Sequence, residues 1–343
     1  MAVPEIVILS AQRTPIGKYG GSFRDLHPAE LGAVAARAAI AQSGLRATDA
    51  DEVVMGHGRQ AGSGPNTARQ VGHRAGIPAS SPAFTVNKAC ASGLQAIVSG
   101  AQSITLGESD VVLAGGIESM SRMPYLIDAA DARWGHKMGN FTLVDAMYRD
   151  GFQCPLSNLI MGETAEILAR QYGITREESD CFALESQRKA SAAIAAGYFG
   201  REIAPVTVSV KGKSVMVEQD EHPRADASIE SLRKLPTVFN DVEGLPGIIT
   251  AGSSSGVTDG GAALVLTSAA FAERRALKPR ARILGWASAG VDPRVMGMGP
   301  VPAIRKLSER TGLSVGDFDL VEMNEAFAPQ VLAVLRDVPI SAD

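Results

Sequence analysis

The sequence is poor in the residues that mark several classes of protein. Only 5% of its 343 residues are aromatic, and its three cysteines (Cys90, Cys154 and Cys181) are widely spaced and form no CxxC pair. This pattern excludes a disulfide-rich secreted scaffold and favours a reducing compartment, so we predict a cytoplasmic protein. The five histidines have spacings that suit no metal site, and we predict no metal.

Strong charge of one sign and a membrane segment are also missing. The net charge is −4, so neither a nucleic acid nor a membrane is predicted as a partner. The first residues, "MAVPEIVILSAQRTP", lack a basic region and a long apolar run, and we expect no signal peptide. Residues 89–107 are uncharged and long enough to span a bilayer, but their Ser, Thr, Gln and Gly favour a helix buried in protein.

What is present predicts a soluble α/β protein of about two domains. Over residues 1–120, short apolar runs such as "EIVILSAQR" and "DVVLAGG" alternate with helical stretches such as "HPAELGAVAARAAIAQSG", which favours a layered sheet with helical crossovers. Residues 121–247 are less regular, although Thr175 and Glu178 form a capping box at the start of a helix. We interpret 121–247 as an insertion, after which residues 248–270 return to the first pattern.

An internal repeat indicates two related halves. Residues 35–56 and 303–324 share eight identities in twenty-two positions at a constant offset of 268. Chance similarity of two helix–turn–strand units is the alternative. The predicted strand at Val53 is followed by several further elements, whereas the predicted strand at Val321 is followed by one helix before Asp343. We therefore expect either a second half built differently or a chain that is cut short.

Cys90 in "VNKACASGLQAI" is the strongest candidate for a catalytic residue. It lies between a predicted strand and a predicted helix, where the helix N-terminus favours an anionic thiolate. The small residues that follow it leave room for a substrate carbonyl, as in a nucleophile elbow. A small buried cysteine is the alternative. Cys181 lies in an amphipathic stretch and is predicted to pack, and no histidine stands in a Gly-rich turn typical of a catalytic base.

Six motifs occur in the order and approximate spacing of the thiolase family: "VNKACASGLQAI", "AGGIESMS", "MGETAE", "TAGSSSGVTDGGAAL", "MGMGPVPA" and "NEAFA". The chain resembles this family over essentially its whole length. The resemblance implies a five-layered αβαβα core of two related halves with an inserted loop domain. The halves would be 1–120 with 248–270, and a truncated 271–343; the insertion would be 121–247. It also implies acyl transfer with coenzyme A thioesters as substrates, no bound cofactor, and a homodimer or homotetramer.

The resemblance also assigns roles to individual positions. Cys90 matches the nucleophile that carries the acyl group as a thioester, and Asn324 matches the residue that holds a catalytic water at the oxyanion site. Residues matching the coenzyme A and acyl contacts are Arg224 at the nucleotide end, Ser255 and Ala251 along the pantetheine, and Met161, Phe239, Met296, Ala326 and Phe327 as walls of the tunnel. Plain core packing for Met161 and Phe239, and a solvated loop charge for Arg224, are the alternatives.

Two departures from the family pattern affect the expected activity. The family's "GHP" histidine and "CxGGG" cysteine would both fall beyond Asp343, so we expect an incomplete second half and doubtful turnover. Ile160 stands where members specific for acetoacetyl-CoA often have histidine, which favours a longer or broader acyl substrate. The implied activity is Claisen condensation or thiolytic cleavage of 3-ketoacyl-CoA. The competing interpretations are a non-catalytic subunit that binds coenzyme A thioesters or serves in assembly, and a ketoacyl synthase.

Overall fold

The structure, a computed structural model, describes residues 4–239 and 242–340. They fall into two compact units: unit 1 holds residues up to 151, 199–222 and 257–283, and unit 2 holds 152–198, 223–256 and 284 onward. The three-part division at residues 120, 247 and 270 stays a prediction. The strands are β1 (Ile6–Arg13), β2 (Gly17–Lys18), β3 (Glu52–Gly56), β4 (Ala83–Val86), β5 (Val111–Ser119), β6 (Tyr125–Leu126), β7 (Val144–Asp145), β8 (Val206–Val210), β9 (Lys213–Val217), β10 (Thr258–Ser268) and β11 (Ala281–Arg282). The helices are α1 (Pro28–Ser43), α2 (Thr67–Arg74), α3 (Ser92–Leu106), α4 (Ala129–Ala132), α5 (Met161–Gln171), α6 (Arg176–Ala195), α7 (Ile229–Arg233), α8 (Ala269–Arg274), α9 (Pro300–Thr311) and α10 (Ala328–Asp337).

Unit 1 is built on one mixed sheet in the order β11-β1-β10-β5-β3-β4, with β2 paired to β10. Strands β3, β4 and β5 run parallel, and β10 is antiparallel to both β1 and β5. Parallel neighbours need crossover connections, and helices α2 and α3 supply them. The predicted alternation of strands and helices over residues 1–120 is confirmed, with residues 258–268 inserted between β1 and β5.

Helices cover both faces of this sheet. Val111, Leu113 and Val265 join the core cluster that contains alanines of α1 and α2. Their neighbours Val112 and Leu266 instead lie against Gly100 of α3. Because successive strand residues point to opposite faces, α1 and α3 lie on opposite sides of the sheet. The uncharged segment 89–107 contains a helix, as predicted, over Ser92–Leu106, but the helix is buried on one side only, since Leu94 and Leu106 are 69% and 73% exposed. No described helix is long and apolar enough to cross a membrane.

Helix α1 begins and ends as its sequence predicts. His27 precedes it, and the His27 ring accepts a hydrogen bond from the Ala29 N–H while the Glu30 carboxylate accepts one from the His27 N–H. Pro28 occupies the first helical position, where no N–H is needed. Gly44 ends the helix with φ +80°, a left-handed conformation that costs little only for glycine.

Unit 2 is helical. Apolar side chains of α5, α9 and α10 share one core, with Leu168, Ala333 and Val334 fully buried. Helix α6 begins at the predicted capping box, in which the Thr175 hydroxyl accepts from the Glu178 N–H and the Glu178 carboxylate accepts from the Thr175 N–H. These contacts satisfy two of the N–H groups that every helix leaves unpaired at its start.

The predicted strand at Val321 is wrong, because residues 318–325 are irregular. Leu320 and Val321 are exposed, and no strand in the described part of unit 2 pairs with this segment. An isolated extended segment cannot satisfy its own backbone hydrogen bonds, so it does not form a strand without a neighbour. The second layered sheet implied by a five-layered core is therefore not formed among residues 4–239 and 242–340.

Candidate active site

Cys90 lies in an exposed turn between β4 and α3, two residues before the first helical residue. Ala89, directly before it, has φ +48°, a left-handed conformation that is costly for a residue with a side chain. The Ser92 hydroxyl holds this turn from the helix side, since it accepts from the Lys88 N–H (2.7 Å) and donates to the Ala89 carbonyl (2.6 Å). The predicted strand-to-helix setting of the thiol is confirmed.

The first turn of α3 packs directly on the end of β3. A Cβ added at Gly56 would lie 2.2 Å from the carbonyl carbon of Ser92, and Gly93 faces the Gly116 backbone of β5. Only glycine fits where two backbones approach this closely. The sheet thus fixes the position of the Cys90 turn by backbone contact, without intervening side chains.

Two histidines of unit 1, His57 and His27, contact other groups of the fold. His57 is 1% exposed; its Nδ1 lies 3.1 Å from the Thr67 hydroxyl and its Nε2 lies 3.2 Å from a Glu118 carboxylate oxygen. His27 caps α1, and burial lowers the pKa of its imidazole. That none of the histidines is the catalytic base remains a prediction. The described residues contain no cluster of ligands that could hold a metal ion.

The remaining candidate residues all belong to unit 2, and several of them meet. The Ser255 N–H donates to the Ala326 carbonyl over 2.9 Å, and Phe239 meets Phe327 edge to face with ring centroids 6.4 Å apart. Met161 begins α5, and its neighbour Gly162 is pressed against the Phe239 ring, where an added Cβ would lie 2.0 Å away. Segments far apart in the sequence therefore converge on one place in unit 2.

The other candidates lie on exposed segments of unit 2. Asn324 is exposed ahead of α10, and the adjacent Glu325 carboxylate accepts from the Ser186 hydroxyl of α6 at 2.6 Å. Arg224 is exposed, with its N–H bonded to the Gln187 side chain of α6. Met296 is 38% exposed and lies in a short helical turn (Pro293–Met298), and Ala251 begins another such turn (Ala251–Ser253).

Sequence reasoning missed Glu166, a buried carboxylate within the motif "MGETAE". Its oxygens accept from the Ile248 and Ile249 N–H groups at 2.7–3.0 Å, which ties α5 to the segment leading into Ala251–Ser255. Burial raises the pKa of Glu166 and outweighs the opposing effect of these N–H donors. The available signal was a glutamate flanked on both sides by apolar residues of one helix.

Of the other two cysteines, Cys181 has a different environment from the one predicted. Cys181 was predicted to pack, but it is exposed on α6, since the buried face of that helix is formed by Ala183 and Leu184. Cys154 is partly buried, and hydrogen bonds from the Ser157 hydroxyl and N–H lower the pKa of its thiol. Neither cysteine lies ahead of a helix as Cys90 does.

Comparisons with known proteins agree with the six motifs. The family model described as "Thiolase, N-terminal domain" matches residues 6–270, and "Thiolase, C-terminal domain" matches residues 277–343. An acetyl-CoA acetyltransferase of Rhizobium meliloti (strain 1021) is 46% identical over 98% of this chain and 84% of its own length. Beta-ketothiolase BktB of Cupriavidus necator is 47% identical over 97% of this chain and 83% of its own length.

Solved structures give the same result for the fold. The Bacillus anthracis acetyl-CoA acetyltransferase matches with a TM-score of 0.95 at 43% identity, covering 99% of this chain and 84% of that protein. Human mitochondrial 3-ketoacyl-CoA thiolase in complex with CoA matches with a TM-score of 0.93 at 41% identity, with the same coverage. These matches and the family models give no support to the expectation of doubtful turnover, and the chain spans 83–84% of the length of these relatives. With both domain models matched, the chain belongs to the thiolase family of acyltransferases.

Proposed function

We propose that this chain transfers acyl groups between coenzyme A thioesters by a ping-pong cycle through Cys90. The observation that carries the proposal is an exposed cysteine, held in a constrained turn ahead of α3, in a thiolase-family chain. The Cys90 sulfur attacks the thioester carbonyl carbon, the bond from that carbon to the CoA sulfur breaks, and CoA leaves as its thiol. In condensation, the α-carbon of acetyl-CoA gives up a proton, bonds to the acyl carbon and frees the Cys90 sulfur. In thiolysis, the Cys90 sulfur instead attacks the 3-keto carbon of 3-ketoacyl-CoA, and the bond from that carbon to the α-carbon breaks. Acetyl-CoA then leaves with a proton on its α-carbon, and the CoA thiol takes the acyl group from Cys90.

Support for coenzyme A as the ligand comes from two sides. The human relative is solved in complex with CoA, and the residues assigned here to pantetheine and acyl contacts meet in unit 2 through Ser255–Ala326 and Phe239–Phe327. We assign Asn324 to the oxyanion site and Arg224 to the nucleotide end of CoA. Neither CoA nor the acyl chain requires a metal or a further cofactor in this proposal.

Acyl-enzyme formation and turnover are tested separately. Acetyl-CoA is mixed with the 343-residue protein, and intact mass and peptide mapping locate any acetyl group; Cys90→Ala should abolish the label and Cys181→Ala should keep it. Acetylation of another residue in the Cys90→Ala variant would reject the assignment. Steady-state thiolysis of acetoacetyl-CoA then measures turnover. Binding of CoA with no labelling at all would favour the non-catalytic binder instead.

Assembly and location are further parts of the proposal. We propose a cytoplasmic homodimer or homotetramer, because the three separated cysteines favour a reducing compartment and the family resemblance implies an oligomer. Light scattering after size-exclusion chromatography measures the oligomeric state. A monomer at micromolar concentration would reject the assembly without affecting the assignment of Cys90.

A further inference from the structure

We propose that Glu118 and Asn87 are positioning residues for Cys90: together they hold the turn at 57–59 against the turn at 87–89 and so fix the strained Ala89 backbone. The inference rests on the proposed role of Cys90 as acyl carrier. All of the residues concerned lie in unit 1. We refer to Glu118, Asn87 and the turn His57–Arg59 as the Glu118 clamp.

Glu118 holds the 57–59 turn from the side of β5. One carboxylate oxygen accepts from the Arg59 N–H at 3.2 Å. The other lies 3.2 Å from His57 Nε2, although the two atoms lack the alignment of a hydrogen bond. The His57 side chain is fully buried, so the Glu118 carboxylate is the polar group that faces this nitrogen in place of solvent.

Asn87 joins the two turns through one side-chain amide. Its Nδ2 donates to the Gly58 carbonyl at 2.9 Å, and its Oδ1 accepts from the Ala89 N–H at 3.0 Å. The turns are packed closely, since a Cβ added at Gly58 would lie 3.0 Å from Glu118 Oε2 and 3.5 Å from the Ala89 carbonyl oxygen. Glu118 therefore supports the surface on which the Cys90 turn lies.

Ala89 needs this support because its backbone is in the left-handed region, with φ +48°. A residue with a side chain keeps such a conformation only when its surroundings over-determine it. Here the Ala89 N–H is held by Asn87 and its carbonyl by Ser92. Without the hydrogen bond from the Ala89 N–H to Asn87, Ala89 returns to negative φ. The direction of the Cys90 side chain, which comes next in the chain, then changes.

The test compares clamp variants with a buried carboxylate elsewhere in the same sheet. Glu52 begins β3, whereas His57 follows the end of that strand; Glu52 is 8% exposed and accepts from the Ser103 and Ser109 hydroxyls. Glu52→Gln therefore measures how much the two rates change when a buried glutamate is altered at the end of β3 away from His57. Asn87→Leu removes both amide contacts, and Asn87→Asp keeps the acceptor for the Ala89 N–H.

Two rates are measured for each variant at one pH: acetylation of Cys90 by acetyl-CoA, and alkylation of Cys90 by iodoacetamide with the site read by mass spectrometry. We expect Glu118→Gln and Asn87→Leu to slow acetylation at least about tenfold, with partial recovery in Asn87→Asp and little change in Glu52→Gln. In turnover assays the loss should fall on kcat rather than on KM.

Rates within about twofold of wild type for both clamp variants would overturn the proposal, as would an equal loss in Glu52→Gln. If Glu118→Gln does not fold, the Asn87→Leu and Asn87→Asp pair decides the matter, because Asn87 is exposed. The wild-type protein separates failure of this inference from failure of the proposed function. If acetyl-CoA does not acetylate Cys90 in the wild type, the proposed role of Cys90 as acyl carrier is rejected. The alkylation rates of the variants then still show whether the Glu118 clamp positions the thiol.

Discussion

The backbone N–H of Ser255 donates to the carbonyl of Ala326 over 2.9 Å, and this bond joins two motifs that lie about seventy residues apart in the sequence. An isolated bridge between Ser254 and Phe327 extends the pairing. The motif "TAGSSS" and the motif "NEAFA" are thus held together by main-chain contacts. Main-chain pairing depends on backbone geometry rather than on side-chain identity.

Replacing Ser255 by proline removes the N–H and should raise the KM for coenzyme A thioesters several-fold, because the two motifs lose their bond. Ser255→Ala keeps the N–H and serves as the matched control. Initial-rate kinetics with acetoacetyl-CoA and CoA measure both variants. An equal loss in Ser255→Ala would mean that the hydroxyl itself, and not the backbone bond, contributes.

Replacing Gly162 by alanine should lower the free energy of unfolding by about 1–3 kcal/mol, because the new methyl group overlaps the Phe239 ring. Gly290→Ala is the control, since nothing lies within 4 Å of a Cβ at that position. Urea denaturation followed by circular dichroism measures the difference. The double variant Gly162→Ala/Phe239→Ala should lose less free energy of unfolding than the two single variants lose together. Strictly additive losses would contradict the overlap of the new methyl group with the Phe239 ring.

The burial of Glu166 predicts that the free energy of unfolding depends on pH. Burial raises the pKa of Glu166 in the folded protein above the ordinary 4.5. The stabilisation from this shift is therefore fully present below pH 4.5 and is lost as the pH rises through the pKa of the folded state. Glu166→Gln does not ionise, so its stability relative to wild type should improve as pH increases from about 4 to 7. Exposed Glu230→Gln is the control, and urea midpoints at each pH measure the trend. An opposite trend would show that the N–H donors outweigh burial.

Ile160 predicts a change in acyl selectivity. It stands immediately before Met161 at the start of α5. The family resemblance of the sequence implies histidine at this position in members specific for acetoacetyl-CoA. Ile160→His should raise kcat/KM for acetoacetyl-CoA relative to a six-carbon 3-ketoacyl-CoA by a few-fold, since one polar group in an apolar wall discriminates modestly. Ile160→Leu should leave the ratio near that of wild type. A ratio unchanged in Ile160→His would remove this residue from the acyl site.

Several parts of unit 1 could be read from local patterns. The helix α1 has its start at His27 and Pro28 and its stop at Gly44, and the buried strands β1 and β5 are nearly continuous apolar runs. Cys90 was identified because a strand ended and a helix began around it. Each of these signals depends on residues within a few positions of one another, which is the range over which capping and periodicity act.

Other features could not be predicted in this way. The strand at Val321 failed because a strand depends on partners that the local sequence does not supply. Glu118 is remote in sequence from Asn87 and Cys90, so nothing near it indicates that it supports their turn. Glu166 was missed because its partners, the N–H groups of Ile248 and Ile249, are more than eighty residues away.

By itself, the sequence determined the family, the candidate nucleophile Cys90 and the local starts and stops of helices in unit 1. Six short motifs and the capping residues of the helices carry this information in neighbouring positions. The tertiary structure alone decided which residues stand behind Cys90, how "TAGSSS" meets "NEAFA", and that residues 318–325 form no strand. The physical reason is that buried carboxylates and backbone pairing gain their free energy from partners brought close only by folding.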